Sequence, residues 1–116
     1  MSKQTVLNVL VARPNVPVEM VEIEDSLEAM QAVVEGPIEV VKPWSADVAL
    51  ICNEEGCVKK LPANRIVFKS DGEPFGCIYG TFFLCLAPRN SERFLSLPRM
   101  VASRYAPFMV PVLHLE

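Results

Sequence analysis

Histidine is nearly missing from this chain: His114, close to the C-terminus in an apolar tail, is the only one. A Ser-His-Asp triad, a Cys-His dyad or a histidine-rich metal site would each need that residue to fold back beside a nucleophile or further ligands. The expectation is a polar tip on an edge segment. Phosphate-cradling loops are missing as well, because Gly72, Gly76 and Gly80 recur within a strand-like run and do not open a helix. No apolar stretch approaches membrane-spanning length, and there is no internal repeat or low-complexity segment. An export signal is not evident, since the apolar stretch from Thr5 to Ala12 is short, broken by Asn8 and followed by no convincing cleavage site. A cytoplasmic location with no membrane partner is expected.

Cysteine is present but not in metal-binding spacing. Cys52 and Cys57 form C-x4-C, which is not the C-x2-C knuckle of structural zinc sites. Cys77 and Cys85 share strand parity, and at about 3.3 Å per residue they would lie roughly 26 Å apart on an unbent strand. A reducing compartment also argues against bridges. All four are therefore expected to be buried free thiols, with no metal site. The adjacent carboxylates Glu54 and Glu55 project from a turn in different directions and are expected to be solvated. No catalytic residue and no cofactor are predicted, and the chain is expected not to be an enzyme.

What the chain has is apolar bulk. Of its 116 residues 51% are hydrophobic and 22% charged, enough for one core, and more apolar surface than a small monomer readily hides. A single domain over 1–116 and a homo-oligomer are expected. The formal net charge of -3 conceals a split. Residues 1–58 carry ten acids against three bases, whereas 59–116 carry eight bases against four acids, which favours a polarised field unless the halves interleave.

The pattern along the chain predicts an α+β fold: a mostly antiparallel sheet of about five to six strands with two helices, 26–35 and 96–106. Thr5 to Ala12 and the alternating segment Val18 to Glu24 read as an antiparallel pair separated by Arg13, Pro14 and Pro17. Asp25 and Glu28 read as a capping box, Leu27, Met30 and Val34 as an apolar stripe, and Gly36-Pro37 as the stop. Ile38 to Lys42 restarts an extended segment. The stretch Val48 to Leu61 reads as a β-hairpin, with Asn53-Glu54-Glu55-Gly56 at its tip and a return strand through Cys57 to Lys60. Leu61 to Arg65 is read as a loop, Asp71-Gly72 as a turn, and Phe75 to Leu86 as one long strand carrying a bulge or a close approach at its glycines. Ser96 is expected to cap the second helix, with Leu97, Val101 and Tyr105 on one stripe. The tail 107–116 is extended, and Pro111 confines it to a sheet edge, a strap, or a neighbouring subunit.

Three exposed groups are candidates for contact with a partner or ligand: Asn53, Glu54 and Glu55 at the hairpin tip, Asn64 and Arg65 in the loop, and Arg99 with Arg104 on the last helix. The Asn64-Arg65 pair suits a phosphate or carboxylate, although no aromatic residues interleave with the bases as a stacking platform requires. Phe82 and Phe83 are assigned to the core.

The motifs DVALICNEEG, LPANR, DGEPFGCIYGTFFLC and SERFLSL, in that order over roughly residues 5–105, resemble a small domain-of-unknown-function family met in prophages and conjugative elements of Gram-positive bacteria, sometimes inside large polyvalent proteins. Arg99 and Arg104, where an acidic pattern is expected, and the tail from Ala106 depart from that family's pattern. The resemblance implies a short, non-enzymatic protein of a phage or mobile element. Its expected work is to antagonise a host defence system, in the manner of an anti-CRISPR, by occluding a host defence protein or its nucleoprotein complex. The alternative it leaves open is a sponge that holds a signalling nucleotide at a dimer cleft, through arginines and the backbone near Gly80.

Overall fold

The computed structural model of the chain describes residues 5–113 apart from Ser45; His114 lies outside the described residues. Two antiparallel sheets form the frame. In the larger, β1 (Val6–Ala12), β2 (Glu19–Glu24), β3 (Ile38–Val41), β4 (Val48–Asn53) and β7 (Phe82–Leu86) lie in the order β2-β1-β7-β4-β3. In the smaller, β5 (Ala63–Phe68) sits between β6 (Pro74–Tyr79) and β8 (Met109–Pro111). The α+β class is as read from the sequence; the strand count is eight because the run 75–86 makes two strands, β5 begins in the segment read as a loop, and the tail adds β8, while the return strand at 57–60 is absent.

Side-chain alternation on the central strands builds two cores. Every residue of β4 is buried because both of its faces are covered. Leu50, Phe82 and Leu84 point toward the smaller sheet with Val67, Ile78 and Met109, whereas Ile51, Phe83 and Cys85 point the other way with Val9, Met30 and Val34. Helix α1 (Leu27–Val34) covers that second face. The fold is thus a helix, a five-stranded sheet, and a layer made of the three-stranded sheet with the second helix. The acidic and basic halves of the sequence interleave within it, since β7 from the basic half pairs with both β1 and β4 from the acidic half.

The predicted hairpin after β4 does not form. Strand β4 is already paired on one edge with β3 and on the other with β7, so no edge remains for a return strand. Residues 54–60 instead wind into a turn, with the Lys59 amide donating to the Glu55 carbonyl at 2.8 Å and the Leu61 amide to the Gly56 carbonyl at 2.9 Å. Lys60 there takes a left-handed φ of 59°. Leu61 to Arg65 is likewise not all loop, because β5 begins at Ala63. The long run Phe75 to Leu86 is two strands in two sheets, joined at a corner where Gly80 has a φ of +80°. A Cβ at that position would stand 2.7 Å from Leu61 Cδ1. Conformation is what requires glycine there, since the Leu61 side-chain end could shift but the positive φ would strain any other residue.

Helix α1 starts one residue later than expected. Ser26, not Asp25, is the N-cap, its Oγ accepting from the Ala29 amide at 3.1 Å. Its C-terminus turns left-handed at Glu35, φ 65°, and Gly36 serves a different purpose: a Cβ on it would lie 2.6 Å from Asn53 Nδ2. Leu27 of the expected stripe is 57% exposed, leaving Met30 and Val34 to bury. Helix α2 (Arg99–Tyr105) is shorter than 96–106 and has no side-chain cap, since Ser96 Oγ accepts from the Asn8 amide instead. A 3-10 turn, Ala106–Phe108, follows, and the tail then pairs through β8 along the edge of β5. The described part of the tail is therefore part turn and part edge strand.

Candidate functional site

The seven candidate residues separate into a buried set and an exposed set. Asn64 is fully buried, and its Nδ2 donates to the carbonyls of Ala12 and Gly80, each at 2.8 Å. Arg65 is 2% exposed. Its guanidinium donates to Asn64 Oδ1, to the carbonyls of Asn64 and Arg13 at 3.2 and 3.4 Å, and to that of Val16 at 2.7 Å. Among the described residues no ion pair engages it, and burial pushes the Arg65 guanidinium below its ordinary pKa. This cage ties the turn after β1 to β5 and the Gly80 corner. The pair expected to meet a ligand from a loop is spent on backbone carbonyls.

Asn53 is buried too. Its Nδ2 donates to the Val34 carbonyl at 2.9 Å and its Oδ1 accepts from the Glu55 amide at 2.7 Å, so it fastens β4 to the end of α1 and sets the following turn. Glu54 and Glu55 are exposed as expected, and Glu55 pairs with Lys59 at 2.9 Å. A surface pair of that kind contributes about 0.3–0.5 kcal/mol.

Arg99 and Arg104, like Glu54, are exposed and engaged by no ion pair among the described residues. Helix α2 is held by three attachments. The Leu97 amide donates to the Asn8 carbonyl at 2.8 Å, Ala102 is buried in the core, and Tyr105 and Phe108 stack around Trp44 with ring centroids 4.8 and 6.2 Å from it. Trp44 Nε1 donates to the Phe68 carbonyl at 2.9 Å, which locks the aromatic group to β5. Between α2 and β2 runs a trough of two adjoining hollows of about 280 and 360 Å³, both lined by Met20 and Arg99. Leu10 and Ala102 line the first, with Glu19 and Ser103; Asn8 and Ser96 line the second. Glu19 is engaged by Arg13 at 3.1 Å. Among the described residues no ion pair engages Arg99 or Arg104. Met100, between them in sequence, is 79% exposed.

The sequence reading missed this trough because Met20 and Asn8 reach α2 only through the sheet. It could have been approached from Val18, Met20 and Glu22, which alternation already set on one face of β2. The smaller hollow near the 54–60 turn gathers Cys52, Cys57 and Cys77, so the expectation of four buried thiols needs correction: Cys52 and Cys85 are buried, Cys77 is half-buried and Cys57 is exposed. Burial pushes the Cys52 thiol up to about 11, with Glu39 adding to it, and the Cys85 thiol up to about 12. Among the described residues no group of three or more His, Cys, Asp or Glu is placed to hold a metal ion. No helix among them is long and apolar enough to cross a membrane.

Fold and surface together define a small α+β domain of two antiparallel sheets whose second helix presents arginine and methionine beside a trough. The chain belongs to the family described as a domain of unknown function, DUF3846, whose family model matches residues 7–107. No curated protein and no solved structure matches it.

Proposed function

We propose that this chain is a non-enzymatic binding module that grips a protein partner through α2 and the trough beside it. The observation that carries the reading is Met100, 79% exposed on a helix that also presents Arg99 and Arg104 to solvent. Arginine and methionine are enriched in the cores of protein interfaces, where a pliable thioether and a planar donor fork supply contact area and direction. The trough adds an apolar floor of Leu10, Met20 and Ala102.

The resemblance to families of phages and conjugative elements supplies the setting. In this proposal the partner is a host defence protein or its nucleoprotein complex, and the domain acts in the cytoplasm, as a homo-oligomer, by occluding the partner's working surface. The nucleotide-sponge alternative loses Arg65 to its carbonyl cage. It also loses the Gly80 backbone, whose amide donates to the Pro62 carbonyl and whose oxygen accepts from Asn64. Nothing observed favours it.

Affinity capture from a Gram-positive host lysate, run with the wild type and with an Arg99→Glu/Arg104→Glu variant of matched thermal stability, tests the proposal. A defence component recovered by the first and lost by the second is expected, together with loss of protection in a phage or plasmid interference assay. Identical recovery and identical protection would refute it. A thermal-shift panel of nucleotides, in which a true ligand raises the unfolding midpoint by mass action, would instead revive the sponge.

A further inference from the structure

The hollow beside the 54–60 turn, about 130 Å³, places three thiols from three separate segments on one lining: Cys52 of β4, Cys57 of the turn and Cys77 of β6. The turn rests directly on β6, for a Cβ added to Gly56 would stand 2.8 Å from the Tyr79 carbonyl oxygen and 3.3 Å from Tyr79 Cβ. Cys57 follows that contact in the chain, and Cys77 shares strand parity with Tyr79. Tyr79 lines the same hollow, and the nearby thiols of Cys77 first and then Cys57 push its phenol above the ordinary pKa. The third thiol is set apart: Cys52 is 5% exposed and points its sulfur at the Glu39 carbonyl, 3.8 Å away.

We propose that Cys57 and Cys77 are a paired modification site, which a low-molecular-weight disulfide such as oxidised glutathione converts to an intramolecular disulfide clamping the 54–60 turn onto β6. The exposed Cys57 thiolate attacks one sulfur of glutathione disulfide; that S–S bond breaks and one glutathione leaves as thiolate, taking up a proton. The Cys77 thiolate then attacks the Cys57 sulfur of the mixed disulfide and expels the second glutathione, which also takes up a proton. The two protein thiols lose two electrons and two protons, and one glutathione disulfide becomes two thiols. The turn suits the reaction because it is outside both sheets and, past the Glu54 amide that donates to the Pro37 carbonyl, is closed by short-range hydrogen bonds. Closure would fix Glu54, Glu55, Lys59 and Lys60 in one arrangement. Selectivity follows from burial: with thiols held at about 11 and about 12 instead of 9.0, Cys52 and Cys85 present about 100-fold and about 1,000-fold less thiolate than an ordinary cysteine at the same pH.

The full chain is incubated with oxidised glutathione, quenched by alkylation after unfolding, and analysed by intact mass and non-reducing peptide mapping. The expected product has lost two hydrogens, carries no glutathione, joins the Cys57 and Cys77 peptides, and leaves Cys52 and Cys85 free to alkylate. The Cys77→Ser variant is expected to stop with one glutathione on Cys57. A wild type that stops at glutathionylated Cys57, a Cys57-linked dimer, a bridge to Cys52, or no reaction would each overturn the proposal.

Discussion

Two arginines of the same chain, Arg65 and Arg99, have opposite surroundings. Arg65 is buried on the central strand of the small sheet with its donors turned onto main-chain carbonyls; Arg99 stands on α2 with no ion pair among the described residues. A guanidinium with its donors satisfied internally holds the fold and has little left for a ligand, whereas one facing water adds little to stability and is free to meet a partner. The same division runs through the other polar groups: Asn53, Asn64, Cys52 and Cys85 lie inside, and Glu54, Cys57 and Arg104 outside. Burial, rather than residue type, separates scaffold from surface in this domain.

The largest expected effect comes from alkaline pH. Cys52 and Cys85 have folded pKa values raised from 9.0 to about 11 and about 12, so the folded state holds their protons after the unfolded chain has released them. Their contribution is complete below pH 9.0 and falls as pH rises through the window up to those raised values. Chemical denaturation near pH ~10.5 should show about 4 kcal/mol less stability than at neutral pH, about 2 from each thiol. Cys85→Ala should remove about half of that slope; an unchanged slope would mean that these thiols are not held neutral.

Replacing Arg65 with methionine comes next. It leaves the Val16 and Arg13 carbonyls without their donor, and urea unfolding should register a loss of about 3 kcal/mol. Ser26 is the intermediate case, half-buried with one capping bond to Ala29; Ser26→Ala should cost about 1 kcal/mol by the same measurement. Arg99→Ala and Arg104→Ala should each shift stability by less than about 0.5 kcal/mol while weakening partner capture. A loss at Arg99 equal to that at Arg65 would erase the distinction between them.

Local chemistry made much of the fold readable. Alternation gave β1 and β2 and their antiparallel pairing, which the register Leu7 to Ile23 and Val9 to Val21 bears out, and Asp71-Gly72 closes β5 onto β6 as its residue types require. Helix α1 was found to within a residue at each end, because capping depends on near neighbours. The errors are non-local. A return strand after Asn53 was excluded by β7, which comes later in the chain and occupies that edge of β4. A buried arginine at position 65 could not be told from an exposed one, because its acceptors at Arg13 and Val16 come from a distant turn. Glycine at 80 was flagged as a place where the strand yields, but whether it bulges or turns into a second sheet depends on which partners wait beyond it. Of the candidate site, only the α2 arginines with Glu54 and Glu55 remained on the surface, and the trough wall supplied by β2 was invisible without the sheet.

The most direct measurement compares two variants in one experiment: quantitative affinity capture from a host lysate with Arg99→Glu/Arg104→Glu and with Glu54→Lys/Glu55→Lys, each set against the wild type at equal folded concentration. A defence component is expected to disappear from the capture only when α2 is altered. Loss through the 54–55 pair with α2 indifferent, or capture unaffected by either change, would contradict it.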